Sequence, residues 1–276
     1  MQNAGLATLG LNWRYLAFDV HPTELRQVIA GAKAMKFVGL NLTLPHKLLA
    51  LEMVDELDES ARAWGAVNTI RFEGRRENGD WAWLGQMSPG EVTAVRARGF
   101  NTDADALVRA LAEDLDCNLR GAAVLVLGAG GAGRVAALKL AAEGVSNVFL
   151  VNRTEEKAEA IGREIWQRCP AVKVKVGYPE AAVDLVVNAT SLGLKDTDPL
   201  PIDEKRFALG RARKVYDMIY RPAETKLLSA AKAASCCTAN GLGMLLYQGI
   251  RALEIWTGQP APEEIMRKAL EEEVYG

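Results

Sequence analysis

Hydrophobic positions along the chain follow one rhythm up to about residue 103 and another beyond it. In the first stretch, residues 15–20 (Tyr-Leu-Ala-Phe-Asp-Val) read as a short apolar strand ending at His21-Pro22. Thr23 can cap a helix over 23–33, whose Leu25, Val28, Ile29 and Ala32 fall on one face. Residues 37–43 read as a second strand, and Pro45 opens a helix where its missing N–H costs nothing. A helix over 59–64 stops at Gly65 and a strand follows over 66–72. Residues 73–90 mix Arg, Glu, Gly, Asn and Trp and read as an exposed hairpin, after which 92–98 returns as a strand.

From Asp103 onward the pattern is strict alternation of helix and strand. Helices are predicted over 104–115, 131–143, 155–168 and 222–233, with strands over 122–127, 147–151, 172–176, 184–189 and 214–218. Strands buried on both faces and separated by crossover helices make a parallel, doubly wound sheet. Residues 241–275 are helical apart from a break at Gly258-Gln259-Pro260, with no strand to extend the sheet. The expected fold is therefore α/β with two domains and a cleft between them. One comprises residues 1–102 plus 241–276, the other residues 103–240.

Composition narrows the partners. The chain has 276 residues, 33 Lys and Arg against 35 Asp and Glu, and a net charge of −2. No basic excess exists to neutralise a phosphate backbone, so nucleic acid is not an expected partner. The apolar runs stop well short of the ~20 residues that span a bilayer, and no basic region precedes an apolar one at the N-terminus. A cytoplasmic protein, monomer or homodimer, is expected. Cys117, Cys169, Cys236 and Cys237 form no C-x-x-C pair, and the two histidines, His21 and His46, form no zinc spacing, so no metal is expected. Proton chemistry then falls to Lys, Asp, Glu or Tyr.

One loop carries specific chemistry. After the strand Val124-Leu125-Val126-Leu127 comes Gly128-Ala129-Gly130-Gly131-Ala132-Gly133, a G-x-G-x-x-G at the start of an Ala-rich helix. Gly128 permits a tight turn, Gly130 lets the backbone approach a pyrophosphate, and Gly133 lets the helix pack closely on the sheet. The helix N-terminus adds unpaired N–H groups and a partial positive charge. The next strand runs into Asn152-Arg153-Thr154, nineteen residues past Gly133, where an NAD-binding chain would place a carboxylate on the ribose. Here no carboxylate stands to repel a 2′-phosphate. Arg153 offers a planar fork of donors and Thr154 a hydroxyl, so the cofactor expected is NADP. A solvated surface arginine is the other reading of Arg153.

Several further strings occur in order. Asn41-Leu42-Thr43-Leu44-Pro45-His46-Lys47, Gly65-Ala66-Val67-Asn68-Thr69 and Asn101-Thr102-Asp103 precede the loop. Asn188-Ala189-Thr190-Ser191, Tyr216-Asp217-Met218-Ile219-Tyr220 and Asn240-Gly241-Leu242-Gly243-Met244 follow it. Together they resemble the shikimate dehydrogenases, NADP-dependent enzymes that interconvert shikimate and 3-dehydroshikimate. The resemblance spans nearly the whole chain and implies a substrate domain, including the C-terminal helices, beside a Rossmann domain.

It also implies that Lys47 and Asp103 are the catalytic pair, although a plain salt bridge is the alternative that spacing alone allows. Asn41, Thr43, Asn68, Thr102, Tyr220 and Gln248 correspond to substrate-binding positions, and Thr190, Met218, Gly241 and Met244 to cofactor-binding ones. One departure stands out. The family opens with a strand and a Ser-x-Ser-Pro loop that binds the substrate carboxylate, whereas this sequence starts at Met1-Gln2-Asn3. The resemblance therefore implies weakened carboxylate binding. Two other readings stay open: an NADP(H)-binding module without turnover, and a quinate-type dehydrogenase.

Overall fold

The structure, a computed structural model, describes residues 1–276, all but the side chain of Pro89. The chain divides into two compact units. One joins Met1–Asp103 to Gln248–Val274, and the other is Ala104–Tyr247.

The first unit holds α1 (Gln2–Thr8), α2 (Leu25–Ala34), β1 (Gly39–Asn41), α3 (His46–Leu49), β2 (Glu56–Leu57), α4 (Glu59–Trp64), β3 (Thr69–Arg75), β4 (Trp81–Trp83) and β5 (Ala94–Phe100). Its sheet runs β1-β3-β5-β2, with β4 also paired to β3. All pairings are antiparallel except β2 with β5. Alternation along β3 separates two faces. Ile70 and Phe72 enter a core with Leu25, Ile29 and Ala32 of α2 and Ala61 of α4. The Asp58 side chain caps α4 by accepting from Ser60 N–H, and Gly65 ends it in the left-handed conformation (φ 62°) that glycine adopts without strain.

Three expectations for this unit change. Residues 15–20 form no strand. The main chain of Tyr15 bonds the Asn3 side chain instead, N–H to Oδ1 at 2.7 Å and C=O from Nδ2 at 3.0 Å, while Leu16 and Phe18 stand 65% and 63% exposed. An apolar run becomes a strand only when a neighbour takes its N–H and C=O groups. His21, not Thr23, provides the side-chain cap, at the start of a short 3-10 turn over Pro22–Glu24 that precedes α2. Glu73, expected in an exposed hairpin, is 2% exposed. It accepts from Arg71, and from Arg96 Nε at 2.7 Å, on the second face of the sheet, where Arg71 also lies 4.8 Å over the Trp83 ring.

The second unit carries α5 (Asp103–Leu115, whose first residue belongs to the first unit), β6 (Ala123–Leu127), α6 (Gly131–Ala142), β7 (Asn147–Val151), α7 (Glu155–Arg168), β8 (Lys173–Val176), β9 (Val183–Asn188), β10 (Ala212–Asp217), α8 (Lys226–Ala233) and β11 (Cys237–Ala239). All six strands are parallel in the order β11-β10-β9-β6-β7-β8. The order reverses between β6 and β9, the topological switch at which such sheets bind ligands beyond their C-terminal ends. Leu125, Leu127, Val186, Val215 and Phe207 are buried within one apolar cluster. β11 is a strand the sequence pattern does not predict. α9 (Leu242–Thr257) and α10 (Glu263–Tyr275) complete the chain.

The unit boundary falls inside α9, at Gln248, rather than at residue 241. Residues 241–247 pack with the second unit: Arg109 lies 4.1 Å over the Tyr247 ring, and the Tyr247 hydroxyl bonds Glu113. Among the described residues no helix is long and apolar enough to cross a membrane.

Candidate active site

Lys47 and Asp103, 56 positions apart in sequence, meet in the first unit. Pro45 stands at the N-cap of α3, which holds Lys47, and the Lys47 carbonyl accepts from Val67 N–H at 2.9 Å. Asp103 opens α5, where the helix dipole favours negative charge. Lys47 Nζ lies 2.8 Å from Asp103 Oδ2, with the carboxylate side chain 9% exposed and the lysine 22%. The pair is therefore reachable yet largely screened from bulk water.

Asn68 braces this pair. Its Nδ2 donates to Asp103 Oδ1 at 3.0 Å and to Thr102 Oγ1 at 2.9 Å. Its Oδ1 accepts from Thr102 N–H at 2.9 Å and from Thr69 Oγ1 at 3.1 Å. An amide has two donors and two acceptor lone pairs, and here all four are used within the protein. Asn68 and Thr102, expected to meet substrate hydroxyls, lie beside the Lys47–Asp103 pair, and Thr102 Oγ1 also donates to the Gln248 carbonyl at 3.2 Å. Asn41 is tied likewise, donating to Thr69 Oγ1 and the Asn68 carbonyl and accepting from Tyr15 Oη at 3.1 Å. Thr43 is exposed and Gln248 half-buried, and both keep side-chain groups free of protein partners.

In the second unit the glycine loop has the shape its spacing predicts. Gly128 sits at φ +104°, and a Cβ there would come 2.9 Å from Thr190 Cγ2. A Cβ on Gly133 would lie 2.1 Å from the Gly128 carbonyl oxygen, so helix and loop touch through hydrogen alone. Gly130 and Gly131 face open space. A tight turn, an uncovered backbone and a helix N-terminus make a cradle that fits a pyrophosphate. Asn152 locks the cradle: its Oδ1 accepts from Ala129 N–H at 3.0 Å and its Nδ2 donates to the Thr154 carbonyl at 2.7 Å. Arg153 is exposed, with no carboxylate partner among the described residues, and Thr154 is the N-cap of α7. Among the described residues no cluster of His, Cys, Asp and Glu is arranged to hold a metal ion.

The strand ends beside the cradle form a polar knot. Thr190 N–H and Oγ1 donate to Asn188 Oδ1 at 3.0 and 2.7 Å, and Met218 N–H donates to the Asn188 carbonyl at 3.0 Å. Gly241 approaches so closely that its Cβ would meet the Met218 carbonyl oxygen at 2.1 Å, and Met244 is buried in α9. Tyr220 is exposed, and its hydroxyl has no protein partner among the described residues. Asp217 Oδ1 accepts from Asn188 Nδ2 at 2.9 Å and Ile219 N–H at 3.1 Å, and Oδ2 accepts from Thr225 Oγ1 at 2.7 Å. Burial pushes the Asp217 carboxyl above the ordinary carboxylate range, against the pull of those three donors. Asn188, Asp217 and Asn101, which caps Asp103 N–H at 3.1 Å, were not among the predicted site residues. Their signal was an Asn or Asp at the last position of a strand or just before a helix.

Known proteins match along the whole chain. The description "Shikimate dehydrogenase substrate binding domain" covers residues 1–70, "Shikimate / quinate 5-dehydrogenase" residues 110–193, and "Shikimate 5'-dehydrogenase C-terminal domain" residues 241–271. The shikimate dehydrogenase (NADP(+)) of Methanopyrus kandleri is 38% identical over 277 residues, covering 98% of this chain and 89% of that protein. A crystal structure of a shikimate dehydrogenase in complex with NADP+ has a TM-score of 0.82 at 36% identity, over 99% of this chain and 90% of that one. Shikimate 5-dehydrogenase of Thermus thermophilus, in complex with NADP(H) and shikimate, has a TM-score of 0.79 at 33% identity, over 98% and 92% of the two chains. With this identity sustained over nearly the full sequence, and both units formed as described, the chain belongs to the shikimate dehydrogenase family.

Proposed function

We propose that this chain catalyses the reversible NADP-dependent reduction of 3-dehydroshikimate to shikimate, with Lys47 and Asp103 as the groups that handle the hydroxyl proton. The first unit takes the ring acid and the second takes the cofactor. The observation that carries the reading is the Lys47–Asp103 contact of 2.8 Å, braced by Asn68. A bare inter-segment salt bridge needs no such bracing, whereas a proton-transfer pair needs a fixed geometry.

The short Nζ–Oδ2 contact lets the pair act as one acceptor during oxidation of the alcohol and one donor during reduction of the ketone. Bound NADP supplies the two-electron acceptor or donor. The backbone of Gly128, Ala129, Gly130, Gly131, Ala132 and Gly133 would hold its pyrophosphate, and Arg153 and Thr154 its 2′-phosphate. Thr43 and Gln248, with free polar groups, are the first unit's side chains suited to the ring hydroxyls. Asn41, Asn68 and Thr102 hold the main chain and Asp103 in place around them.

Replacing Lys47 by Ala tests the assignment. Shikimate oxidation should fall by about 10² or more, the usual scale for a positioned acid or base. NADPH affinity should stay the same, because every predicted phosphate contact lies in the other unit. An unaltered oxidation rate would remove Lys47 from the mechanism.

A further inference from the structure

At the end of β10 the carboxylate of Asp217 is fully buried and, among the described residues, is met by neutral donors: Asn188 Nδ2, Ile219 N–H and Thr225 Oγ1. Burying a charge without a cation is costly compared with burying an apolar side chain. The apolar core beneath the strand does not use it: Val215, two residues earlier on β10, is fully buried with an apolar side chain.

What the carboxylate does is join three segments. Through Oδ1 it holds Asn188, its register neighbour on β9, and Ile219 in the turn after β10. Through Oδ2 it holds Thr225 at the cap of α8. Asn188 extends the chain of bonds to Thr190, whose methyl packs against Gly128 of the nucleotide loop, and to the Leu192 carbonyl at 3.3 Å. Ile219 extends it the other way, its carbonyl accepting from Gly241 N–H at 3.1 Å. One carboxylate thus fixes the loops that carry Thr190, Met218 and Gly241.

We propose that Asp217, acting through Asn188 and Thr225, is a positioning residue for the nicotinamide end of the dinucleotide. This rests on the cofactor reading above. Arg153 and Thr154 after β7 would hold the adenosine end on one side of the switch point, which leaves the β9–β10 side, with Thr190 and Met218, to the nicotinamide half of a dinucleotide lying across it. The two ends therefore respond differently when the knot is loosened.

The experiment compares two probes on the full chain: NADPH, followed by its fluorescence, and adenosine 2′,5′-bisphosphate, which has the 2′-phosphate but no nicotinamide, followed by calorimetry. In Asp217→Leu, NADPH affinity should weaken about tenfold or more, the scale of losing one or two hydrogen bonds to a charged group. Bisphosphate affinity should stay within about twofold. Thr225→Val should show the same split, and Thr225→Ser, which keeps the hydroxyl, should restore NADPH binding. The Thr225 pair decides the matter if Asp217→Leu does not fold. Equal loss of both ligands, or unchanged NADPH affinity, would overturn the proposal. A parent chain that binds neither probe would instead overturn the cofactor reading, and this proposal with it.

Discussion

Truncating Asn68 to Ala tests whether the bracing of the catalytic pair has the weight given to it. The substitution removes four hydrogen bonds at a site that is 2% exposed. Thr102 Oγ1 keeps the Gln248 carbonyl, and Thr69 Oγ1 keeps the Asn41 amide. Thr102 N–H and one lone pair of Asp103 Oδ1 are left with nothing. At about 1–3 kcal/mol for each stranded buried group the loss is about 2–6 kcal/mol, a large share of a typical ~5–15 kcal/mol of stability. Asn41→Ala is the matched control. It removes bonds to Thr69, the Asn68 carbonyl and Tyr15, but Thr69 Oγ1 still donates to Asn68 Oδ1 and the Asn68 carbonyl still accepts from Leu42 N–H, so no buried group is stranded. Its cost should stay below about 1 kcal/mol. Urea unfolding of the two variants gives the difference directly from midpoints at constant slope. Equal destabilisation by the two substitutions would refute the argument, since it would show that burial does not set the cost. With Asp103 no longer held from two sides, Asn68→Ala should also lose shikimate oxidation more than NADPH affinity.

Other expectations concern the nucleotide site and the charged sheet face. Gly133→Ala pushes a methyl to 2.1 Å from a main-chain oxygen and should abolish measurable NADPH binding by fluorescence titration, and parent-like affinity would refute the close-packing argument. Arg153→Ala should erase most of the preference for NADPH over NADH, by about 10–10²; a parent chain binding both equally would already contradict the assignment. Glu73 is raised by burial but lowered further by Arg71 and Arg96, so its folded carboxyl titrates below its ordinary 4.5. Its contribution to stability is then full above about pH 4.5 and is lost as pH falls through the folded value. Glu73→Gln should be less stable near neutrality and should flatten the acid limb of the stability profile below about pH 4.5. Parallel unfolding curves for the two proteins across that range would show that the carboxylate is not coupled to the arginines.

What the sequence determined by itself was everything governed by local period and local sterics. The strands over Asn147–Val151 and the helix over Glu155–Arg168 fall where the apolar spacing puts them, because strands buried on both faces and amphipathic helices carry distinct repeats. Gly128, Gly130 and Gly133 were legible because each requirement, a positive φ, an open face and a close approach, is met by one residue type. Gly65 at the end of α4 is legible for the same reason.

Tertiary structure decided whatever depends on a partner distant in the chain. Residues 15–20 have the composition of a strand, but a ladder needs a second strand, and the Asn3 side chain took its place. Glu73 reads as a surface charge until the sheet register sets it opposite Arg96, which adds a second cation to Arg71 two residues back on the same strand and makes its burial tolerable. Cys237–Ala239 is too short to announce itself and becomes β11 only because β10 offers a free edge. At the candidate site, Lys47, Asn68 and Asp103 are individually ordinary. Only the fold brings Nζ and Nδ2 to the two oxygens of one carboxylate. Hydrophobic spacing records which face of an element is buried, but not which polar atoms meet there, and hydrogen bonds depend on that meeting to within a few tenths of an ångström.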